Sequence, residues 1–367
     1  GKGCPVQGSA AQGGMAADAA RRRGNRVDAP DAGLVTYMGV LDITDNRNTI
    51  VGVGSALVDL LAREPDDFME ALGVAKGGMN LVDREFLGSL LDRTSSKPSV
   101  VPGGSACNTA LGVARLGGRA RFVGKLGKDE MGGLFTRGLV DSHVDAVLFD
   151  SDLPTGCVLS VITPDTQRSM FTCLGAASEM APEEITAGIF TDAAVVHVEG
   201  YLVFNPDLLQ AVLTSAKTAG ALVSLDLDSF NVVEQAGPVL KDMVARHVDI
   251  LIANEDEARA YTGHADENQA LEALAKGVFL AVLKLGPRGS RVAHKGRNIA
   301  IAPLVCEDAV DSTGAGDLWA SGFLYGLASG LSIEKSGEIA SACGREVCRV
   351  MGAVIPDDVW ERIRKMI

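Results

Sequence analysis

From Thr49 onward the chain repeats one alternation: a short unbroken apolar run, then a longer stretch with apolar residues at helical spacing. TIVGV opens the series, and RARFVGKLG, AAVVHVEG, ALVSLDLD, VDILIAN and FLAVLKLG continue it. Runs this short and apolar suit strands buried on both faces. Between them PDLLQAVLTSAKTAG and EDEARAYTG read as helices. SACNTALGVARLGG reads as another, with Leu111, Ala114 and Arg115 at helical spacing and Gly117 and Gly118 as its stop. Such alternation implies βαβ units, right-handed crossovers and a mainly parallel sheet between helical layers, an α/β fold. A hydrophobic fraction of 47% with only 5% aromatic residues agrees, because a doubly covered sheet is filled by Val, Ile, Leu and Ala. Ligands of open α/β sheets bind beyond the strand C-termini. LDLD, IANEDE, KLGPRG and DSTGAGD all fall at such ends.

Two regions break the rhythm. Residues from about 59 to 101 hold the helix-like DDFMEAL and the turn-rich KGGMNLVD. Residues from about 141 to 174 read as short strands, AVLFD, GCVLSVIT and RSMFTCL. Both segments predict a small β-rich lid over the ligand edge, which would exclude water. Residues 1–48 are rich in Gly, Ala and Arg, lack periodicity and lack the apolar core of a signal peptide. They are expected to be a poorly ordered extension, leaving 49–367 as the folded domain.

The formal charge of −13 argues against nucleic acid as a partner. No apolar run is long enough to span a bilayer, so no membrane partner is expected. The seven cysteines are scattered without a CxxC pair, which predicts reduced thiols and a cytoplasmic location.

Chemistry concentrates in two glycine-rich segments. In DSTGAGDLWASGFLYGL, Gly314 and Gly316 let backbone N–H groups converge where a helix begins, an arrangement that holds anions. Asp317 lies in the first turn beside them, where a carboxylate could take the proton of a hydroxyl attacking a phosphate. An ordinary glycine turn is the alternative. In GGSACNTA, Gly103 and Gly104 permit close approach of a ligand, and Asn108 offers a donor and an acceptor to hydroxyl groups. The alternative there is a loop-to-helix joint in which Ser105 caps the helix.

GGSACNTA and DSTGAGD, in this order, resemble the two signatures of the PfkB (ribokinase-like) family of carbohydrate and nucleoside kinases, and the resemblance extends over Thr49 to Ile367. It implies a three-layer α/β/α fold with a small β-rich lid, ATP as phosphoryl donor and Mg²⁺. By the same resemblance Asp317 is the catalytic base, with Gly314, Ala315 and Gly316 as the anion hole. Asp59, Gly103, Gly104 and Asn108 grip the acceptor. Asn254 and Glu257, in NEDE, match an N-x-x-E motif that organises Mg²⁺ through water. KLGPRGS resembles the nucleotide segment, with Gly286 and Gly289 in place. Lys284 stands where many members carry threonine, and a lysine there could reach a nucleotide phosphate. Asp311 matches a position associated with a monovalent cation such as K⁺.

Ser105, Thr109, the KGGMNLVD insertion and TQRSMFTCLGAA look like the adenosine kinase branch, with Arg168 able to reach a phosphate under a closed lid. The expected activity is transfer of the ATP γ-phosphoryl to a primary hydroxyl of an adenosine-like nucleoside. A sugar kinase of ribokinase or fructokinase type is the alternative, and a non-catalytic nucleoside-binding sensor a third. A monomer is expected over a homodimer paired through lid strands. His197 reads as a satisfied strand histidine, and Trp319 and Phe323 as packing residues behind the site.

Overall fold

The computed structural model describes residues 47–367 apart from Ala75 and Thr166. All but two residues of the expected N-terminal extension therefore lie outside the described residues. In chain order the first strands are β1 (Thr49–Val53), β2 (Leu57–Arg63), β3 (Met79–Leu81), β4 (Ser99–Gly103), β5 (Arg119–Gly127), β6 (Asp145–Ser151), β7 (Gly156–Ile162) and β8 (Arg168–Cys173). They are followed by β9 (Ala193–Glu199), β10 (Leu222–Asp226), β11 (Ile250–Asn254), β12 (Leu280–Lys284), β13 (Ser290–His294) and β14 (Arg297–Ile301).

Alternation of side chains along each central strand builds the layers. In β11, Ile250 and Ile252 enter one core while Leu251 and Ala253 enter the other. Helices Ser105–Arg115, Ala315–Ala328 and Ile333–Val347 lie against the first face, where Trp319 and Phe323 stack with ring centroids 4.8 Å apart. Helices Pro206–Thr218, Phe230–His247 and Glu267–Leu274 cover the second. The sheet runs β14-β13-β12-β11-β10-β9-β1-β5-β6, parallel from β12 to β6 and closed by an antiparallel β12–β14 meander.

A second sheet runs β3-β8-β7-β2-β4. One sequence expectation fails here. AVLFD was assigned to the lid, but β6 pairs in parallel with β5 at the edge of the large sheet, Val147 opposite Val123. Helix Glu130–Asp141 supplies the crossover that makes this pairing parallel, which a strand count alone does not reveal. GCVLSVIT and RSMFTCL do form an antiparallel pair in the small sheet.

Candidate active site

The parallel strands end on one edge, and their last residues form the floor of a cavity of about 430 Å³. Asn254 closes β11 and Lys284 closes β12, and both line the cavity. Helix Ser105–Arg115 brings Ser105 and Asn108 to the floor, and helix Ala315–Ala328 brings Asp317. The two helices are tied directly, since Thr109 Oγ1 donates to the Asp317 carbonyl at 3.1 Å. Above the floor the small sheet contributes Asp59 from β2 and Arg168, Met170 and Thr172 from β8.

Asp317 is held by two donors. Asn108 Nδ2 reaches Oδ2 at 2.9 Å, and Ser105 Oγ lies 3.0 Å from Oδ1. Burial raises the Asp317 carboxyl above its ordinary range, while Asn108, the Arg168 charge and Ser105 pull it back. Asn108 Oδ1 is buried without a hydrogen-bond partner among the described residues. An orphaned acceptor beside a carboxylate is where a ligand hydroxyl would donate. Asp59 is buried in the opposite wall, and burial, only partly countered by Arg168, pushes its carboxyl up to about 7. Gly103 makes room for it: a Cβ there would lie 2.3 Å from the Asp59 carboxyl carbon.

The DSTGAGD turn owes its shape to Gly314, the N-cap of helix Ala315–Ala328, at φ 74°, in the left-handed region. Ala315 N donates to the Ser312 carbonyl at 3.2 Å, and the N–H groups that follow at a helix start are the kind that can hold an anion. A Cβ on Gly316 would lie 3.1 Å from Lys284 Nζ, so the ammonium sits against the same turn. Lys284 Nζ also bonds Asp226 Oδ2 at 2.7 Å, with Asp226 buried and Lys284 partly so. Burial alone would lower the Lys284 ammonium, but Asp226 and Glu257 outweigh it and push it up.

Asn254 and Glu257 cap their helix reciprocally. Asn254 N and Nδ2 donate to the two Glu257 oxygens at 2.7 and 2.6 Å, and Glu257 N returns a bond to Asn254 Oδ1 at 2.9 Å. Burial lifts the Glu257 carboxyl to about 7. Asn254 and Glu257 line the cavity with hard oxygen donors, a chemistry that fits a cation held through water.

Gly286, Gly289 and Asp311 are not on the cavity wall. Gly286 and Gly289 shape the β12–β13 turn, in which Leu285 N donates to the Gly289 carbonyl at 2.8 Å. Asp311 Oδ1 accepts from Thr313 N and Oγ1 at 2.9 and 2.7 Å, and Oδ2 from Gly352 N at 2.8 Å. A monovalent cation at Asp311 would share those oxygens.

Sequence reasoning missed four groups. Ser105 does not cap its helix, whose N-cap is Gly104; its hydroxyl lies 2.7 Å from Asp228 Oδ1 as well as 3.0 Å from Asp317. Glu199 ends β9 and accepts from Ser55 N at 2.8 Å and Ala106 N at 3.4 Å, and burial pushes it up to about 7. Asp226 and Asp228 are the acids of LDLD. That motif was noted as a strand end, the one available signal, without roles for its residues. His197 is not fully satisfied: Nδ1 meets Ser224 Oγ at 3.1 Å, but Nε2 has no partner among the described residues.

The pfkB family carbohydrate kinases match residues 82–360. The adenosine kinase of Sinorhizobium meliloti is 33% identical and superposes with a TM-score of 0.83 over 88% of this chain and 100% of that one. A probable sugar kinase of Rhizobium etli is 31% identical, with a TM-score of 0.84 over 88% and 99%. Probable fructokinase-2 of Arabidopsis thaliana is 27% identical over 86% of this chain and 94% of that protein.

Proposed function

We propose a nucleoside as the acceptor of this chain, which belongs to the pfkB family of carbohydrate kinases and is an ATP-dependent phosphotransferase acting on hydroxyl groups. The observation that carries the reading is the two-sided cavity. Its polar end joins Asn108 and Asp317 of the floor to Asp59 of the wall above, as an acceptor sugar requires. Its remaining wall is apolar, with Met79, Leu81, Val158, Met170, Leu202 and Phe204. Leu81 and Phe204 are exposed, 49% and 37%. A monosaccharide would use the polar end and leave that wall facing water, whereas a base joined to ribose covers it. The similarity to the S. meliloti adenosine kinase supports the same choice.

In this reading the ribose hydroxyls bond Asp59 and the free Asn108 Oδ1, which places the primary hydroxyl beside Asp317. Asp317 accepts its proton as the oxygen attacks the γ-phosphorus. The Gly314–Gly316 turn and Lys284 oppose the charge on the transferred group, an electrostatic contribution made without reorganisation. Arg168 approaches from the small sheet, which acts as the lid. Asn254 and Glu257 would hold Mg²⁺ through water, and the cation would neutralise phosphate charge. Gly286 and Gly289 shape the nucleotide segment, and Asp311 is the position where K⁺ would act.

A sugar kinase is the second reading, favoured by the family's carbohydrate kinases and by the fructokinase relative. ATP consumption with adenosine, inosine, ribose and fructose separates the two. Adenosine turning over with a kcat/KM well above that of either sugar is the expected result; fructose or ribose as the better acceptor reverses the assignment. We also propose a monomer, because one edge of the small sheet, β3, is only three residues long. Light scattering tests it. No helix among the described residues is long and apolar enough to cross a membrane.

A further inference from the structure

Ser105 presents a problem of proton counting. Its one hydroxyl proton faces two carboxyl oxygens, Asp228 Oδ1 at 2.7 Å and Asp317 Oδ1 at 3.0 Å. A hydroxyl donates one hydrogen bond, so two carboxylates cannot both be satisfied by it. The second contact is a hydrogen bond only if that carboxyl carries a proton and donates it to Ser105 Oγ.

The surroundings decide which one does. Asp317 has a second donor, Asn108 Nδ2, on its other oxygen, and the Arg168 charge faces it from the small sheet. Among the described residues the Asp228 carboxyl has beyond Ser105 only the Gly200 N–H, 2.6 Å from Oδ2. Its other neighbours are mostly acidic: Asp226 on the same segment, Glu199 at the end of β9, and Asp317 across the cavity. Tyr201 follows Glu199, and Lys284 on β12 is engaged by Asp226. Asp228 also sits at φ 58°, a left-handed conformation that a non-glycine residue adopts at a cost of about 1 kcal/mol or more. That conformation turns its carboxyl onto Ser105 and Gly200.

We infer that Asp228 is a positioning residue for the phosphoryl transfer, carrying a proton that it donates through Ser105 so that the Ser105 hydroxyl is committed to an ionised Asp317. The chain of donors is Asp228 Oδ1–H to Ser105 Oγ, and Ser105 Oγ–H to Asp317 Oδ1. Asp317 is thereby kept ionised and oriented, with a free lone pair for the proton of the acceptor hydroxyl. Burial, Asp226 and Glu199 raise the Asp228 carboxyl well above its ordinary range, which agrees. The inference rests on Asp317 being the base.

The test is the pH dependence of kcat/KM, whose acid limb reports ionisation of the base in the free enzyme. Asp228→Asn is permanently neutral, tolerates the left-handed backbone and offers an N–H to Ser105 and a carbonyl to Gly200. It is expected to leave the acid limb in place, because the donor to Ser105 is kept. Movement of the limb to lower pH would mean that an anion had been removed, and the inference fails. Ser105→Ala takes a donor from ionised Asp317, so the limb moves to higher pH and kcat falls about tenfold or more; an unmoved limb overturns the inference. The Asp228 carboxyl carbon resonance in ¹³C-labelled protein gives a reading without turnover: protonated at neutral pH is expected, ionised is not compatible. Asp317→Asn separates the two levels. If it retains activity, the base assignment itself falls. If it is inactive while Ser105→Ala leaves the limb unmoved, only the role of Asp228 falls.

Discussion

The floor and the roof of the cavity are built on different principles. The floor gathers Asp226, Asn254, Lys284, Asn108 and Asp317 from the ends of parallel strands and the starts of two helices. Their side chains are tied by hydrogen bonds, and Asp226 is buried while Asp317 is half-buried. The roof is a five-stranded sheet offering Asp59 and Arg168 among apolar side chains, some of them exposed. A packed floor fixes reacting atoms and charge, and an adaptable apolar roof chooses what is held there. Chemistry should therefore fail through floor substitutions and acceptor choice through roof substitutions.

The largest expected effect is Asp317→Asn, which lowers kcat by about 10³-fold with nucleoside affinity nearly unchanged. Single-turnover kinetics and acceptor binding check it, and near-normal turnover would break the floor's half of the contrast. Lys284→Met follows, with kcat reduced about 10²-fold through loss of one fixed charge at the transferred group. It also leaves Asp226 buried without its partner, a loss of about 3–5 kcal/mol in chemical denaturation. An unchanged denaturation midpoint would show that the ion pair does not form.

A roof substitution should behave differently. Leu81→Ala, on β3, is expected to raise KM for the nucleoside about 2- to 10-fold, with kcat unchanged and the fold intact because Leu81 is exposed. A fall in kcat of the same size would dissolve the distinction. The smallest effect is on stability. Asp59, Glu199 and Glu257 have folded pKa values of about 7 against ordinary values of 3.8 and 4.5. Carboxyls raised on folding stabilise the protein at acid pH, and that contribution is lost as pH rises from about 4 to 7. His197, buried and held at about 4, acts in the opposite sense between 4 and 6.5, one group against three. The ligand-free protein should therefore melt at a higher temperature at pH 5.5 than at pH 8. A midpoint rising over that interval would mean that the buried carboxyls ionise normally.

How far the sequence could be read follows the same division. Strands β1, β5 and β9 to β12 are visible as buried apolar runs, whereas β13 and β14 escape such a reading because exposed or half-buried residues interrupt them. The AVLFD of β6 reads as a lid strand because it is no more apolar than the small-sheet strands. Only the helix before it makes it a parallel neighbour of β5. Asp317, Asn108 and the glycine turn were legible because anion binding needs glycine at a helix start, which leaves a local trace. Asp226 and Asp228 left only the strand-end LDLD, and Glu199 left none. Each is a single acid at a strand end, and its meaning comes from partners 58, 123 and 144 residues away in the chain.

Local order therefore determined the α/β class, the edge at which ligands bind and the phosphate turn, since period, strand end and glycine are properties of neighbouring residues. Burial and long-range pairing decided the rest. Tertiary structure set Lys284 against both Gly316 and Asp226. It also placed Ser105 between two carboxyls that one hydroxyl proton cannot serve. The charge on an acid depends on what excludes water from it and what donates to it, and neither is written in the residues beside it.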